Sequence, residues 1–346
     1  MGALNPLFKA VHDFLTIALP EEQKCSINTI RSYRKALELL LDYVKERNGI
    51  PLSGVTFEMI DRNVMSDFLG YLENERGCGR ATRNHRLHCI RAFYRYAAQE
   101  DITSVTHMDE ILKVKPAKEP ETLVEHMSEN AVSAILRQPD TSTDKGKRDA
   151  FMLLFLYKTG ARVQELVDVR ICDIQLGRQP KVALHGKGAK SRSIPLRDDV
   201  VLHLRKYLQL FHPEENQYSD QYLFYVIRNK EKKRMTEDNV RQLVSKYGRK
   251  AREICKEVPE KVHPHLFRHS WAMFLYQNGV DLSLVSQWLG HSNLETTLIY
   301  AHADTELKRK AIEKAVPEDS PLKEHVNSER FKVDDDDLLK KLCGLR

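Results

Sequence analysis

Apolar residues recur at every third or fourth position through most of the chain, which is the spacing of amphipathic helices. In residues 28–48, the side chains of Tyr33, Leu37, Leu40 and Val44 would share one helix face. The same pattern predicts further helices at residues 5–17, 57–74, 81–99, 128–137, 146–158, from 163 onward, 197–210, 236–255 and 305–315. The chain is therefore predicted to be mainly helical.

Two short segments, residues 181–185 and 192–195, have the composition of β-strands. Glycines on both sides of Lys187 predict a tight hairpin turn between them. Residues 216–235 are polar and are predicted to form a loop region. The expected fold class is thus mainly α with a small antiparallel β-sheet.

Residues 101–127 have no clear periodicity and contain prolines and mixed charge, which is typical of an exposed linker. We expect an N-terminal helical domain at residues 1–105, a linker at 106–127 and a C-terminal domain at 128–315. Residues 316–346 hold eight acidic and six basic residues, so this tail carries a net charge of −2. We expect the tail to be weakly ordered and to bind a partner or regulate the protein.

The composition of the 346 residues permits nucleic-acid binding and gives no sign of a membrane protein. The net charge is +6, of which about +8 lies outside the tail. Six scattered cysteines without a Cys-x-x-Cys pair indicate a reduced, cytosolic chain. No apolar run approaches the roughly 18 residues of a membrane span. A cytoplasmic, nucleoid-associated protein is expected.

The fourth predicted helix is strongly basic. Between residues 80 and 96 it contains five arginines and no acidic residue: Arg80, Arg83, Arg86, Arg91 and Arg95. Such a face can follow the phosphates of DNA. It could also be a solvated charged face, but that kind of face usually mixes both signs. We therefore predict that Arg80, Arg83, Arg86 and Arg91 bind DNA, together with Arg241 on the basic helix at residues 236–255.

The stretch from residue 265 to residue 300 is predicted to hold three consecutive helices. The first ends at Asn278-Gly279, a left-handed C-terminal signal. The second ends at Gly290, and the Ser-x-x-Glu pattern that begins at Ser292 predicts the start of the third. His291 lies in the short connection, and Tyr300 lies about two turns into the last helix.

Four polar groups in this stretch suggest chemistry on a phosphodiester. Arg268 offers a planar fork of donors for two phosphate oxygens, and His265 lies on the same helix face. Histidines 265 and 291 can donate hydrogen bonds or move a proton, and the hydroxyl of Tyr300 can act as a nucleophile. Read alone, Tyr300 follows Leu298-Ile299 and would more often be a core tyrosine than a nucleophile.

A metal site is the other interpretation of this stretch, because it contains His263, His265, His269 and His291. The segment has neither the His-Glu-x-x-His spacing nor a paired-cysteine knuckle, so we predict no metal.

Three motifs resemble those of the tyrosine recombinases, also called the integrase family. The C-terminal signature is His265-Leu266-Phe267-Arg268-His269, then Leu289-Gly290-His291-Ser292, then Tyr300 nine residues after His291. The first box is Thr159-Gly160-Ala161-Arg162-Val163-Gln164-Glu165-Leu166. The hairpin is Gly186-Lys187-Gly188-Ala189-Lys190-Ser191-Arg192, followed by Ile194-Pro195-Leu196. The resemblance covers about residues 25–315.

This resemblance implies a two-domain recombinase with a helical, SAM-like core-binding domain and a C-terminal catalytic domain. It implies six catalytic residues, namely Arg162, Lys187, His265, Arg268, His291 and Tyr300. Glu165 and His269 would support them, although Arg162 beside Glu165 could be only a helix-start salt bridge. Lys190 and Arg192 are expected to bind backbone phosphate, and neither a metal ion nor a cofactor is expected.

The partners implied are double-stranded DNA recombination sites and further copies of the chain. Members of this family act as a tetramer, and the helix at residues 305–315 is expected to dock onto a neighbouring protomer. The expected reaction is strand exchange through a 3′-phosphotyrosine and a Holliday junction.

Several alternatives differ in class or role. The same chemistry would suit a type IB topoisomerase, although the Gly-His-Ser box and the basic N-terminal domain argue against one. A DNA-binding regulator without chemistry and a metal-dependent hydrolase are the others. The tail favours a mobile-element recombinase over a housekeeping Xer protein that resolves chromosome dimers.

Overall fold

The computed structural model describes residues 5–119, 124–186, 190–291 and 293–303, together with residue 340. The chain divides into two compact units, residues 1–121 and 122–346. Both are mainly helical, and the described strands form two small antiparallel sheets in the second unit. The predicted fold class is confirmed. None of the described helices is long and apolar enough to cross a membrane.

The first unit is a helical bundle around one hydrophobic core. Its helices are α1 (Pro6–Asp13), α2 (Ile27–Asn48), α3 (Arg62–Asn74), α4 (Arg80–Glu100) and α5 (Val105–Lys113), and a π-helix (Phe14–Glu22) extends α1. Ser26 caps α2 by accepting a hydrogen bond from the backbone N–H of Thr29, and Gly49 ends that helix in the left-handed conformation. Leu40, Phe68 and Phe93 are among the fully buried side chains of the core.

Part of the predicted linker belongs to the first unit. Residues 105–113 form α5, which packs against α4 and buries Ile111. Asn84 on α4 then exchanges hydrogen bonds with the backbone of Ala117, at 2.8 and 2.9 Å. The expectation of an exposed linker from residue 106 is therefore wrong for residues 106–117. Apolar residues do recur at helical spacing here, at positions 105, 108, 111 and 112, but the pattern covers only the 9 residues of α5 and is followed by a proline-containing stretch.

The second unit contains eight α-helices among the described residues, besides a short 3₁₀ helix at Ile171–Asp173. They are α6 (Glu129–Leu136), α7 (Asp144–Thr159), α8 (Val163–Asp168), α9 (Asp198–Phe211), α10 (Glu237–Ile254), α11 (Pro264–Gln277), α12 (Leu282–Leu289) and α13 (Glu295–Ala303). Helix α7 lies in the core, where Phe155 and Leu156 are fully buried. Helices α9 and α11 both pack against it.

The strand prediction is right for one hairpin and wrong for the polar segment. Strands β2 (Lys181–His185) and β3 (Ser191–Pro195) pair antiparallel, and a short β1 (Ile174–Gln175) adds to β2. Residues 216–235 contain a second hairpin, β4 (Tyr225–Arg228) and β5 (Glu231–Arg234). Asn229 and Lys230 both have positive φ at its tip, as a two-residue type I′ turn requires. Strand β5 is polar and exposed, and β4 begins with three consecutive apolar residues, so neither strand shows the alternation of a half-buried strand.

Three sequence predictions fall outside the described residues. They concern Lys187 in the hairpin turn, Ser292 as a helix cap, and everything after residue 303 apart from residue 340, including the helix at residues 305–315.

Candidate active site

The candidate site is built at the C-terminal end of α12. Gly290 ends the helix with a φ of 64°. The backbone N–H groups of Gly290 and His291 turn back to the carbonyls of Gln287 and Ser286, both at 3.1 Å. The last carbonyls of a helix otherwise lack partners within it. The carbonyls of the next three residues, Trp288, Leu289 and Gly290, therefore need hydrogen-bond donors from other parts of the chain.

Three arginines from distant parts of the chain supply those donors. Arg192 on β3 donates from Nε to the carbonyl of Trp288 at 2.7 Å. Arg268 on α11 donates to the carbonyl of Leu289. Arg162 donates to the carbonyl of Gly290 at 3.2 Å. The partial negative charge of a helix C-terminus favours cations at this position. Their three positive charges are thereby gathered beside His291.

Glu165 accepts hydrogen bonds from two of these arginines, Arg162 and Arg192. Arg162 is the N-cap residue of α8, and its backbone N–H donates to Oε2 of Glu165 at 2.7 Å. Its side chain donates to Oε1 at 2.8 Å. Arg192 makes two more bonds to the same carboxylate, at 2.6 and 2.8 Å. Burial alone would raise the pKa of Glu165, but the hydrogen bonds and charges of Arg192 and Arg162 outweigh it and lower the pKa to about 2. Glu165 is thus an anion bonded to both Arg162 and Arg192.

Arg268 is the buried cation of the group. It is 2% exposed and donates to the carbonyl of Gly160 at 2.7 Å, in addition to Leu289. It therefore joins the C-terminal ends of α7 and α12. Burial and the nearby charges of Arg162 and Arg192 lower its pKa to about 9, so the guanidinium remains charged at neutral pH.

The histidines of the site are held neutral near pH 7. Burial is the main cause that lowers the pKa of His265, with a further contribution from Arg268. Burial lowers the pKa of His269 and of His291 to about 4, and neighbouring positive charges add to the effect. The rings of His265 and His269 stack with their centroids 6.1 Å apart. His291 makes a hydrogen bond to the hydroxyl of Thr297 at 2.8 Å.

Tyr300 on α13 is fully buried. Its ring packs against a small cluster of buried apolar side chains, Ala272, Met273, Val285 and Leu289. Its hydroxyl lies 2.8 Å from Nδ1 of His269. Burial raises the pKa of Tyr300 to about 12, although the charge of Arg268 opposes the shift. Ionisation of this hydroxyl therefore needs a base or a new environment.

The fold brings together five of the residues expected to be catalytic, namely Arg162, His265, Arg268, His291 and Tyr300. Lys187 lies outside the described residues, but Gly186 precedes it. A Cβ on Gly186 would lie 3.3 Å from Oε1 of Glu165, so this end of the hairpin turn lies at the site. The roles assigned to these residues stay predictions.

Four of the five arginines of α4 have partners within the first unit. Arg80 and Arg83 approach the carboxylate of Glu73 at 3.4 and 3.5 Å. Arg86 donates to the sulfur of Cys78 at 2.9 Å. Arg91 donates to the carbonyls of Leu112 and Val114, where α5 ends. Its guanidinium therefore serves as a cap of α5 rather than as the free surface cation that the sequence suggested.

The other predicted DNA contacts also differ in their surroundings. Lys190 is exposed. Arg241 is half exposed and pairs with Asp238 at 2.7 Å and with Glu237. The side chain of Arg192 is only 12% exposed and is committed to Glu165 and Trp288. The interpretation of Arg192 as a surface phosphate contact does not fit this position.

Two contacts of the site were not anticipated from the sequence. One is the Arg192–Glu165 pair, and the other is the bond between Thr297 and His291. Arginine and glutamate 27 residues apart carry no local signal of pairing. Thr297 is six residues after His291, and only the turn between α12 and α13 brings them together. Among the described residues, no three His, Cys, Asp or Glu side chains are grouped as a metal site would require.

Comparisons with known proteins agree with this arrangement. The phage integrase family matches residues 125–306, and the phage integrase SAM-like domain matches residues 8–114. An integrase/recombinase, y4rC, of Sinorhizobium fredii is 32% identical over 335 residues, which cover 96% of each chain. The chain belongs to the phage integrase family, as a tyrosine-type site-specific recombinase.

A second relative of this recombinase is the tyrosine recombinase XerD of Staphylococcus epidermidis. It is 30% identical over 308 residues, which cover 89% of this chain and 97% of the relative.

Solved structures share the recombinase fold. The XerH recombinase in a post-cleavage complex with palindromic difH substrate aligns with a TM-score of 0.66 at 21% identity, over 90% of this chain and 89% of that one. The Tn1549 transposon integrase in complex with transposon right end DNA aligns with a TM-score of 0.66 at 18% identity. The alignment covers 89% of this chain and 99% of that one. A lambda integrase tetramer bound to a Holliday junction aligns with a TM-score of 0.59 at 16% identity. The alignment covers 88% of this chain and 76% of that one.

Proposed function

We propose that the recombinase cuts and rejoins DNA through a covalent bond to Tyr300. The hydroxyl oxygen of Tyr300 attacks the scissile phosphorus and forms a 3′-phosphotyrosine. The bond from phosphorus to the 5′-oxygen breaks, and that oxygen leaves with a proton. In the second step a 5′-hydroxyl from another strand attacks the phosphotyrosine and releases Tyr300. The phosphoester bond is conserved throughout, so no nucleotide cofactor is needed.

The convergence of Arg162 and Arg268 at the end of α12 is the observation that carries this proposal. Three arginines and one glutamate leave two positive charges uncompensated among these residues. A phosphate that becomes more negative in the transition state would be stabilised there. Arg162 is the accessible member of the set, because its side chain is 37% exposed whereas Arg268 is buried. Arg162 would contact a non-bridging oxygen directly, and Arg268 would act with it once the site opens.

Proton transfer would be shared by the histidines and Lys187. His269 would take the proton of Tyr300, and the 2.8 Å distance between its Nδ1 and the Tyr300 hydroxyl supports this role. The family resemblance gives this role to His265, which stacks on His269 and could receive the proton in turn. His291 would donate a hydrogen bond to the phosphate, and Lys187 would protonate the leaving 5′-oxygen.

Tyr300 must be uncovered before it reacts. A side chain with no exposed surface cannot contact a phosphodiester. The apolar cluster around its ring would have to release it when DNA binds. We expect this release to be part of the cycle by which cleavage is restricted to an assembled complex.

We propose that the active assembly is a homotetramer that holds two duplexes and passes through a Holliday junction. The structural neighbour that is a tetramer on such a junction supports this view. The helix predicted at residues 305–315 would dock onto the neighbouring protomer, and each of the two units would contribute to DNA binding. The protein would act in the cytoplasm, at the nucleoid.

Integration and excision of a mobile element is the biological role that we favour. The Tn1549 transposon integrase among the structural neighbours supports it, as does the presence of a tail beyond the catalytic domain. Chromosome dimer resolution is the second candidate, because the XerD relative matches 97% of its own length to this chain.

Covalent trapping on nicked DNA tests the proposed function. Nicked duplexes tiled across the DNA that flanks the gene would be incubated with wild type in a chelator and run on a denaturing gel. Tyr300→Phe is the test variant, and Tyr218→Phe, an exposed tyrosine at 79%, is the matched control. A shifted band with wild type and the control alone is the expected result.

The other outcomes separate the alternatives. Tight binding of a duplex without any covalent band would contradict the role of Tyr300 and favour a DNA-binding regulator. Cleavage that disappears in the chelator would indicate a metal-dependent hydrolase.

A further inference from the structure

Arg192 is held by protein atoms on all three of its nitrogens. Nε donates to the carbonyl of Trp288 at 2.7 Å, and the two terminal nitrogens donate to the two oxygens of Glu165 at 2.6 and 2.8 Å. This parallel pair of bonds is the most specific geometry by which an arginine binds a carboxylate. An arginine that tracks DNA phosphates would instead point its terminal nitrogens towards solvent.

The three elements joined by Arg192 are far apart in the chain. Arg192 itself lies on β3, Glu165 lies on α8, 27 residues away, and Trp288 lies on α12, 96 residues away. Arg192 also packs onto Gly290. A Cβ at Gly290 would lie 2.9 Å from Cδ of Arg192, so the guanidinium covers the turn that leads to His291.

Arg162 depends on the same carboxylate. Its guanidinium makes one bond to Glu165 and a longer one, at 3.2 Å, to the carbonyl of Gly290. Arg192 makes both of its terminal bonds to Glu165 and is three times less exposed than Arg162, at 12% against 37%. Arg192 therefore fixes the plane of the carboxylate, and the carboxylate fixes Arg162.

We propose that Arg192 is a positioning residue of the recombinase. It locks Glu165, and through it Arg162, onto the C-terminal end of α12, and it fixes the turn that carries His291. It acts through these residues and does not contact DNA. This role rests on the proposed function, because it concerns the same phosphate-binding group.

A positioning role and a phosphate-contact role for Arg192 predict different effects on DNA affinity and on reaction rate. A variant that loses a phosphate contact binds DNA more weakly, and the slope of log K against log salt concentration falls by about 0.9. A variant that loses a positioning residue keeps its affinity and its salt slope but reacts more slowly. A displacement of about 1 Å in a reacting group can cost about 100-fold in rate.

Arg192→Met is the primary test, since methionine keeps much of the apolar volume and removes the three donors. Arg197→Met is the matched control, because Arg197 is a 70% exposed arginine of the same unit whose ion pair among the described residues is a 3.7 Å contact with Asp199. Both variants would be measured on the nicked duplex that traps wild type, for the rate of adduct formation and for DNA affinity at several salt concentrations. We expect Arg192→Met to form the adduct about 10- to 100-fold more slowly, with affinity and slope unchanged.

Two further variants keep the test valid if loss of Arg192 destabilises the unit. Arg192→Lys retains the charge but not the fork, so it should recover only part of the rate. The double variant Arg192→Met, Glu165→Gln leaves no uncompensated carboxylate. Its rate of adduct formation should be no lower than that of the slower of the two single variants, Arg192→Met and Glu165→Gln, because both residues act as one unit. Fluorescence of Trp271 and Trp288 reports whether each variant is folded.

An adduct rate equal to that of wild type in Arg192→Met would overturn the positioning role. A lower affinity together with a reduced salt slope would overturn it too, in favour of a phosphate contact. These results differ from a failure of the proposed function, in which wild type itself forms no adduct on a duplex that it binds.

Discussion

Nδ1 of His269 lies 2.8 Å from the hydroxyl oxygen of Tyr300, and no such contact links His265 to Tyr300 among the described residues. Burial lowers the pKa of His269 to about 4, so the ring is neutral at pH 7, and in one tautomer its Nδ1 accepts a hydrogen bond from the hydroxyl. The contact therefore points to His269 as the immediate partner of the nucleophile. The family resemblance alone had placed His265 there.

Replacement of His269 is expected to slow cleavage more than binding. A positioned general base contributes typically about 10²–10⁴-fold to a rate. We predict that His269→Asn lowers adduct formation by about 100-fold on a nicked duplex while DNA affinity stays within about twofold. The rates of His269→Asn and His265→Asn, measured from pH 6 to 9, show which histidine accepts the proton. A full rate in His269→Asn would assign that role elsewhere.

The buried histidines should make stability depend on pH. Burial and nearby positive charge lower the pKa of His269 and His291 to about 4, from an ordinary value of 6.5. The unfolded chain then binds more protons than the folded one between these values, so stability falls as the pH is lowered from about 6.5 to about 4.

Urea unfolding at pH 7.5 and pH 5 checks this prediction. The two tryptophans of the chain, Trp271 and Trp288, both lie in the second unit, so their fluorescence reports on that unit. His291→Asn should lose less stability between the two pH values than wild type. The exposed His203→Asn serves as the control and should match wild type.

Glu165 should be the most costly carboxylate of the site to neutralise. It is 2% exposed and accepts four hydrogen bonds from Arg162 and Arg192. Breaking a buried ion pair by removal of one partner costs about 3–5 kcal/mol. We predict that Glu165→Gln lowers the free energy of unfolding of the second unit by about this amount. The exposed Glu253→Gln, measured in the same way, should change it by less than about 0.5 kcal/mol.

A phosphate-like anion should stabilise the folded recombinase even without DNA. Three arginines and one glutamate meet at the end of α12, so the positive charges repel one another until an anion binds. Binding at ten times the dissociation constant adds about 1.4 kcal/mol of stability. We predict that phosphate raises the Tm of wild type by a few degrees relative to sodium chloride at equal ionic strength. Arg162→Met should lose most of that rise, and an equal rise in this variant would place the anion elsewhere.

Arg91 is expected to stabilise the first unit rather than to bind DNA. Its guanidinium donates to two carbonyls at the end of α5. Hydrogen bonds from a charged group contribute about 1.5–3 kcal/mol. Arg91→Met should therefore increase hydrogen exchange across residues 105–114 and leave the salt slope of DNA binding unchanged. Arg95→Met, an exposed change on the same helix, is the control for exchange.

The sequence predicted most helices and the first hairpin because their signals are local. Thr236 caps α10 and Gly290 ends α12 through atoms only a few residues away. Helix α5 was missed because its apolar pattern spans only 9 residues beside a proline-containing stretch. The β4–β5 hairpin was missed because β4 begins with a continuous apolar run and β5 is wholly polar, so neither strand alternates. Ile111 is buried where α5 packs against α3 and α4.

The sequence by itself determined the family, the residue types of the site and the order in which they occur. Arg162, Arg268, His291 and Tyr300 could be named from motifs whose spacing is fixed along the chain. Only the tertiary structure decided which group each one contacts. Arg192 was expected to contact a DNA phosphate, but its side chain is bonded to Glu165. His265 was expected to accept the proton of Tyr300, but it is His269 that contacts the Tyr300 hydroxyl. A hydrogen bond depends on the approach of atoms within about 3 Å. That approach is set by the packing of β3, α8 and α12, which no local spacing encodes.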